Sequence, residues 1–299
     1  MEENINLIYE DVISSCRDCD ELLEILKSIT GSSVIVGNGG SRVVATFLAK
    51  VLSKKNKIIT SIHDSCDLSS LELSNYENII VCSYSGKNEG VKHALSYNNK
   101  KYMLTTRKSS IDDETLLTYD MEPRKSFISL NQSIVPMAII LKYYLKDKFE
   151  CIIDDIFRLI DININYNLID ITNIFTDYNT LTVSTFIEST LAESGLSAPL
   201  VHSKYDYCHG RSTINKGIDY RSIYLINEQK ELDDAILSIL KDPLILKGPF
   251  KDEIVNEFYL TLLAIHLLKN ISKDHNVNLS KIDYDRDVVK KLYNFKGSM

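Results

Sequence analysis

The stretch Ile79-Ile80-Val81-Cys82-Ser83-Tyr84-Ser85-Gly86-Lys87-Asn88-Glu89-Gly90 decides the fold. Three β-branched residues and a cysteine form an apolar run that reads as a buried strand. Polar, glycine-containing residues follow at once, and Glu89 to Leu95 reads as the start of a helix. A hydroxyl-rich turn therefore sits at the carboxyl end of a strand, facing a helix N-terminus. Unpaired backbone N–H groups and the positive end of the helix dipole favour an anion there. Ser83 and Ser85 can add hydroxyl donors, and Gly86 lets the backbone approach closely. The same residues also suit an ordinary strand–turn–helix joint capped by Ser85 or Asn88, so the stretch alone leaves both readings open.

Upstream, Ser33-Val34-Ile35-Val36 reads as a short buried strand, Gly37-Asn38-Gly39-Gly40-Ser41-Arg42 as a glycine-rich turn, and Val43 to Leu52 as a helix. This is not the dinucleotide fingerprint, because Arg42 and Val43 stand where G-x-G-x-x-G wants its last glycine. It also lacks the Gly-Lys-Ser ending of a nucleotide P-loop, so the expected ligand is phosphorylated but smaller than a nucleotide. Apolar spacing predicts one or two helices from Ile5 to Ser28. Further strands are expected at Lys57 to Ile62 and Lys101 to Thr106. Arg107-Lys108 follows the latter, as a solvated loop or on the side where open α/β sheets bind ligands. Asp120-Met121-Glu122 is the candidate edge strand, and Ile134 to Leu145 a long apolar helix. This alternation argues for a mostly parallel sheet covered on both faces.

A polar, asparagine-rich separator, Asp161 to Asn179, is expected before a second alternating half. There the reading is strand Leu181 to Phe186, helix Glu188 to Ala198, strand Ser222 to Asn227, helix Leu232 to Leu240, strand Pro243 to Leu246 and a leucine-rich helix Asp252 to Ile271. The expected architecture is two α/β domains, residues 1–150 and 151–299, from a duplication.

Composition narrows the function. The 299 residues carry 34 Lys and Arg against 41 Asp and Glu, a formal charge of −7. No basic block interleaved with aromatics occurs, which argues against a nucleic-acid partner. No run of eighteen apolar residues occurs, so no membrane span is expected. Six scattered cysteines and an acidic N-terminus without secretory character fit a cytoplasmic protein. Cys16-Arg17-Asp18-Cys19 has the spacing of a metal knuckle or redox pair. It lacks a second pair or a nearby histidine, so an ordinary helix is the expected reading.

The loops Asn38-Gly39-Gly40-Ser41 and Ser83-Tyr84-Ser85-Gly86-Lys87-Asn88-Glu89 together resemble the sugar isomerase (SIS) domain, with its glycine–serine loop and Ser-x-Ser-Gly-x-Thr/Asn-x-Glu signature. The resemblance covers nearly the whole chain, as in tandem SIS proteins such as the isomerase part of glucosamine–fructose-6-phosphate aminotransferase and the fructosamine-6-phosphate deglycases. It implies two flavodoxin-like SIS domains, each a mostly parallel sheet flanked by helices. It further implies a phosphosugar whose phosphate meets Gly40, Ser41, Ser83, the Tyr84 N–H, Ser85, Asn88 and Ser129.

In such relatives a helix glutamate moves a proton between C1 and C2, and a histidine in a His-Gly pair sixteen residues later opens the ring. Glu193 and His209-Gly210 have that separation here. The chemistry asks for a carboxylate shielded from water and an imidazole titrating near neutrality. The expected function is thus phosphosugar isomerisation, deamination or deglycation through an enediol or enolamine. The expected assembly is a homodimer with shared active sites, and neither metal nor organic cofactor is implied. A non-catalytic phosphosugar sensor is the alternative.

Several positions depart from the relatives. Phe186-Ile187-Glu188-Ser189 stands in place of a second glycine loop, Thr190 in place of a lysine one turn before the base, and Arg211 where proline commonly follows His-Gly. Lys290 and Lys291 only loosely match the deglycase ending. The chain begins directly with the first SIS half, so ammonia-dependent synthesis by a preceding glutaminase domain is not expected.

Overall fold

The structure is a computed structural model that describes residues 5–87, 89–106, 116–119, 121, 128, 131–215, 217–279 and 287. The chain divides into two units, an N-terminal one of Glu10–Tyr144 with Leu279–Met299 and a C-terminal one of Leu145–Asn278 with Met1–Tyr9. Each contains its own sheet, and all described strand pairs are parallel. Parallel pairs need crossovers, which explains the helices between strands.

Helices α1 (Ile5–Arg17) and α2 (Asp20–Ser28) precede the first sheet. Its strands are β1 (Ser33–Val36), β2 (Thr60–His63), β3 (Asn78–Cys82), β4 (Lys100–Thr105) and β5 (Leu116–Thr118), in the order β2-β1-β3-β4-β5. That is the flavodoxin-like doubly wound order. Helices α3 (Gly40–Val51), α4 (Glu89–Leu95) and α5 (Asn131–Leu145) are described in the same unit, with shorter helical turns at Leu52–Asn56, Ser65–Ser70 and Leu73–Asn75. Every residue of β1 and β3 is buried, as a sheet covered on both faces requires. Val34, Val36, Ile79, Val81 and Met103 pack with Leu68, Val91 and Ala94 on one face. By strand alternation Ile35 and Ile80 face the other way.

An edge strand of this sheet is β5, Leu116–Thr118; of the expected Asp120-Met121-Glu122, Met121 lies in neither helix nor strand, and Asp120 and Glu122 lie outside the described residues. Cys16 closes no metal site: Cys19 Sγ donates to the Cys16 carbonyl at 3.2 Å, and both thiols are buried. Burial pushes the Cys16 thiol up to about 12, so it stays protonated and inert.

The second sheet contains β6 (Ile171–Thr176), β7 (Ala198–Ser203), β8 (Arg221–Ile226) and β9 (Leu244–Lys247), in the order β7-β6-β8-β9. Helices α6 (Phe149–Leu159), α7 (Leu181–Ser194), α8 (Lys204–Cys208), α9 (Glu231–Leu237) and α10 (Glu253–Asp274) surround it. The expected strand Leu181 to Phe186 is instead the first half of α7, and the first strand of this sheet lies ten residues earlier, inside the expected separator. Local chemistry explains both. Leu181-Thr182-Val183-Ser184-Thr185-Phe186 is rich in β-branched residues, which mimic a strand. Yet an Asp177/Thr180 capping box opens the segment, and Gly195, left-handed at φ 65°, closes it. In β6, Thr172 and Asn173 interrupt the apolar run although both are wholly buried. β7, also unexpected, is an edge strand and carries Pro199, which edges tolerate.

Helix α10 is long and apolar enough to cross a membrane by length and composition, but 89% of that window is buried within the protein. It packs on α7, and Glu257 from α10 accepts the Thr182 N–H at 2.7 Å. A carboxylate thereby satisfies an otherwise orphaned donor at the start of α7.

Asn78 ties the amino end of β3 to the segment leading into β1. Its Nδ2 donates to the Thr30 carbonyl at 2.7 Å and to Ser33 Oγ at 3.0 Å, and the residue is 2% exposed. Asn78→Ala strands these acceptors away from water and should cost about 2 kcal/mol, read as a lower urea midpoint with unchanged slope.

Candidate functional site

In the first sheet, β2 and β3 lie on opposite sides of β1, so the turns after β1 and β3 flank a topological switch point. Ligands of open α/β sheets gather outside the carboxyl ends of strands at such points. Val36 stands level with Val81, and both turns leave the sheet at nearly the same height.

The turn Gly37-Asn38-Gly39 after β1 has little freedom. A Cβ on Gly37 would lie 2.5 Å from the Ser41 carbonyl oxygen, and Gly39 adopts φ 55°, ψ −135°, open essentially to glycine alone. Asn38 pins the turn to the segment after β2: its Nδ2 donates to Ser65 Oγ at 3.2 Å, and its Oδ1 accepts the Ser65 N–H at 3.3 Å. The Ser41 and Arg42 amides donate to the Asn38 and Gly39 carbonyls. Ser41 is half-buried, and Gly40 is exposed. Arg42 pairs with Asp64 at 3.0 Å beside this turn.

The turn after β3 is held from within. Ser83, 6% exposed, accepts the Gly86 N–H on its Oγ at 3.2 Å, while Gly86 takes φ 63°. The Tyr84 carbonyl accepts from Thr105 Oγ1 at 3.1 Å and Thr106 Oγ1 at 2.9 Å. This fixes a bend that presents half-buried Tyr84 and Ser85 and exposed Lys87. Helix α4 has only seven residues and begins with Glu89, which pairs with Lys92 at 2.7 Å. Hydroxyls, more than that short dipole, are what this turn offers an anion. Asn88, Ser129, Arg107, Lys108, Lys290 and Lys291 lie outside the described residues.

Glu193 and His209 both belong to the C-terminal unit. Glu193 sits on the last turn of α7, exposed, and accepts a hydrogen bond from Ser189 Oγ at 2.9 Å. His209 caps the short helix α8, its N–H donating to the Asp206 carbonyl at 3.0 Å, and is also exposed. Gly210 follows at φ 105°, and Thr213 Oγ1 donates to its carbonyl at 2.8 Å. Phe186-Ile187-Glu188-Ser189 lies mid-helix. The turn that follows the first strand of this sheet is Asp177 to Thr180.

That turn belongs to a buried ionic cluster that sequence reasoning missed. Lys204, 3% exposed, reaches Asp177 Oδ2 at 3.0 Å and Asp233 Oδ1 at 2.9 Å. Its Nζ lies 5.0 Å from the Tyr224 ring centroid, and the Tyr224 hydroxyl donates to Asp233 Oδ1 at 2.9 Å. The Lys230 N–H fills Asp233 Oδ2 at 2.7 Å. The members come from four separate elements, so no local spacing announces them. The capping pattern Asp177-x-x-Thr180 was the one legible trace.

Both sheets are parallel and flanked by helices. Among solved structures the chain is similar to tagatose-6-phosphate ketose/aldose isomerase from Escherichia coli, at 12% identity and a TM-score of 0.67, over 94% of this chain and 95% of that one. It is also similar to glucosamine-6-phosphate deaminase from Thermotoga maritima, at 14% identity and a TM-score of 0.64, covering 93% and 97%. A third is the C-terminal domain of glucosamine-fructose-6-phosphate aminotransferase from Francisella tularensis, at 13% and 0.63, covering 94% and 98%. At these identities the likeness establishes the SIS-type fold. No family model and no curated protein matches the sequence.

The ionic cluster carries a pH prediction. Burial alone would raise the Asp233 carboxyl, but the hydrogen bond from Lys204, the Lys230 N–H and the Lys204 charge together hold it below its ordinary value. A carboxyl lowered on folding contributes stability that is fully present above the unfolded value, about 3.9, and is lost as pH falls through the folded one. Urea midpoints should therefore drop steeply below about pH 4 in the parent protein. Asp233→Asn should be less stable at neutral pH, by about 3 kcal/mol, with a shallower acid limb.

Proposed function

We propose that the protein processes a phosphorylated sugar or amino sugar by isomerisation, deamination or deglycation through an enediol or enolamine. One observation carries the reading: two constrained glycine–serine turns flank the switch point of a parallel sheet, in a fold shared with phosphosugar isomerases and a deaminase. In this reading Gly40, Ser41, Ser83, Ser85 and the Tyr84 N–H receive the phosphate, with Asn88 and Ser129 added from the resemblance. Charge-assisted hydrogen bonds of about 1.5–3 kcal/mol each would anchor the ligand.

Glu193 is the proton-transferring base and His209 the ring-opening group. Support comes from their sixteen-residue spacing. Both side chains are exposed within their own unit, so in this reading the shielding from water that the chemistry asks of Glu193 comes with the bound ligand and the assembled dimer. The two sheets with matching strand order support a tandem SIS organisation, residues 1–150 and 151–299. A homodimer with shared active sites completes the proposal, and a monodisperse monomer with full activity in light scattering would remove that part.

Solvent deuterium exchange into C1 or C2 of ketohexose and aminohexose 6-phosphates tests the chemistry. Exchange should occur with at least one sugar, and Glu193→Gln should slow it by about a hundredfold or more while binding persists in calorimetry. Binding without exchange across the panel would make the protein a phosphosugar sensor instead.

A further inference from the structure

Helix α8 is a single turn of five residues, too short to hold its own shape by helix propensity. It is nevertheless the element that presents His209 and Gly210. Only two of its residues are buried: Lys204 at its first position and Tyr207 one turn on, while Tyr205, Asp206 and Cys208 are exposed. Tyr207 packs edge-on against Phe175, with ring centroids 4.7 Å apart. Tyr207 also meets His202 edge-on at 5.4 Å and belongs to the buried cluster of Phe175, Tyr224 and Ile236, so these rings hold the turn against the sheet. Lys204 is different. Its ammonium is fixed by one carboxylate at the end of β6 and another on α9, at 3.0 and 2.9 Å. The Asp177 carboxylate is itself locked, since its Oδ1 accepts the Asn179 N–H at 2.9 Å. The Asp233 carboxylate is locked by Tyr224 and the Lys230 N–H.

We propose that Lys204 is a positioning residue for His209: its two-carboxylate clamp sets where α8 begins on the sheet edge and thereby where the imidazole stands at the helix end. The inference rests on the reading of His209 as the ring-opening group. A lysine clamped this way gains no net stability over an apolar filling, because desolvation offsets the Coulomb attraction. What it adds is a single register for the turn that follows. Ring opening demands proton transfer between defined atoms, where an ångström of displacement costs about a hundredfold in rate.

The test uses substrates that differ in needing that step. The four D-ketohexose 6-phosphates are offered to the parent protein in heavy water, and exchange at C1 is followed by NMR. The sugar that reacts is then compared with its 5-deoxy analogue, which lacks the ring-closing hydroxyl and stays acyclic. Lys204→Met should slow exchange with the ring-forming sugar by about a hundredfold, through kcat rather than KM, and leave the acyclic analogue unchanged. Asp233→Asn keeps the lysine and its Asp177 contact. It should show the same selective loss to a smaller degree, and it carries the test if Lys204→Met does not fold. Equal losses on both compounds would mean a merely structural lysine and overturn the proposal while leaving the assigned chemistry intact. Exchange by the parent protein into none of the ketohexose or aminohexose 6-phosphates would remove the catalytic reading, and the positioning role with it.

Discussion

A strand in a parallel sheet cannot turn straight back to its neighbour; it must cross a face and return. Each described strand obeys that constraint, so the described strand-to-helix turns within a unit collect at the carboxyl ends of its strands. The consequence in the N-terminal unit is that the Gly37–Gly39 and Ser83–Gly86 turns, 46 residues apart in sequence at their first members, become neighbours on adjacent strands β1 and β3. Their detailed shape follows from close contacts. Gly37 has no room for a side chain, Asn38 is bonded to Ser65, and the Tyr84 carbonyl is gripped by two threonines.

The corresponding edge of the C-terminal sheet is finished differently. Where the first sheet presents hydroxyls and small residues, the second is filled by its own charges, with Lys204 between Asp177 and Asp233 and the Tyr224 ring close by. The Glu257 carboxylate occupies the N-terminus of α7, the position at which a helix after a first strand would otherwise attract an anion. Among the described residues, one topology has thus been completed once with a polar rim of hydroxyls and once with an internal ion cluster. The side chains, not the backbone path, make that difference.

The N-terminal sheet was legible because its strands are apolar runs broken by glycine, and because long-range packing agrees with local propensity there. β1 and β3 lie where the pattern of Ile, Val and Gly puts them. The C-terminal half misled at two places for opposite reasons. β6 hides its identity because buried Thr172 and Asn173 are polar, and Asn173 is satisfied in part by His202 from the next strand, a partner 29 residues away. α7 looks like a strand because β-branched residues dominate its first half, and its helical state is decided by capping and by packing on α10. Of the candidate site, the serine and glycine turns could be read locally. The lysine clamp could not, since nothing in a linear pattern relates residues 177, 204, 224 and 233.

The glycine turn after β1 contains two neighbours with contrasting room. Gly37 admits no added atom, whereas a methyl on Gly40 would find only Ser133 Oγ, 3.9 Å away. Among the described residues, bulk can therefore be added at Gly40 without disturbing the scaffold beneath it. In the proposed reading such a variant is a silenced twin with the same fold and an occluded phosphate site, against which any cellular effect of the native chain could be judged.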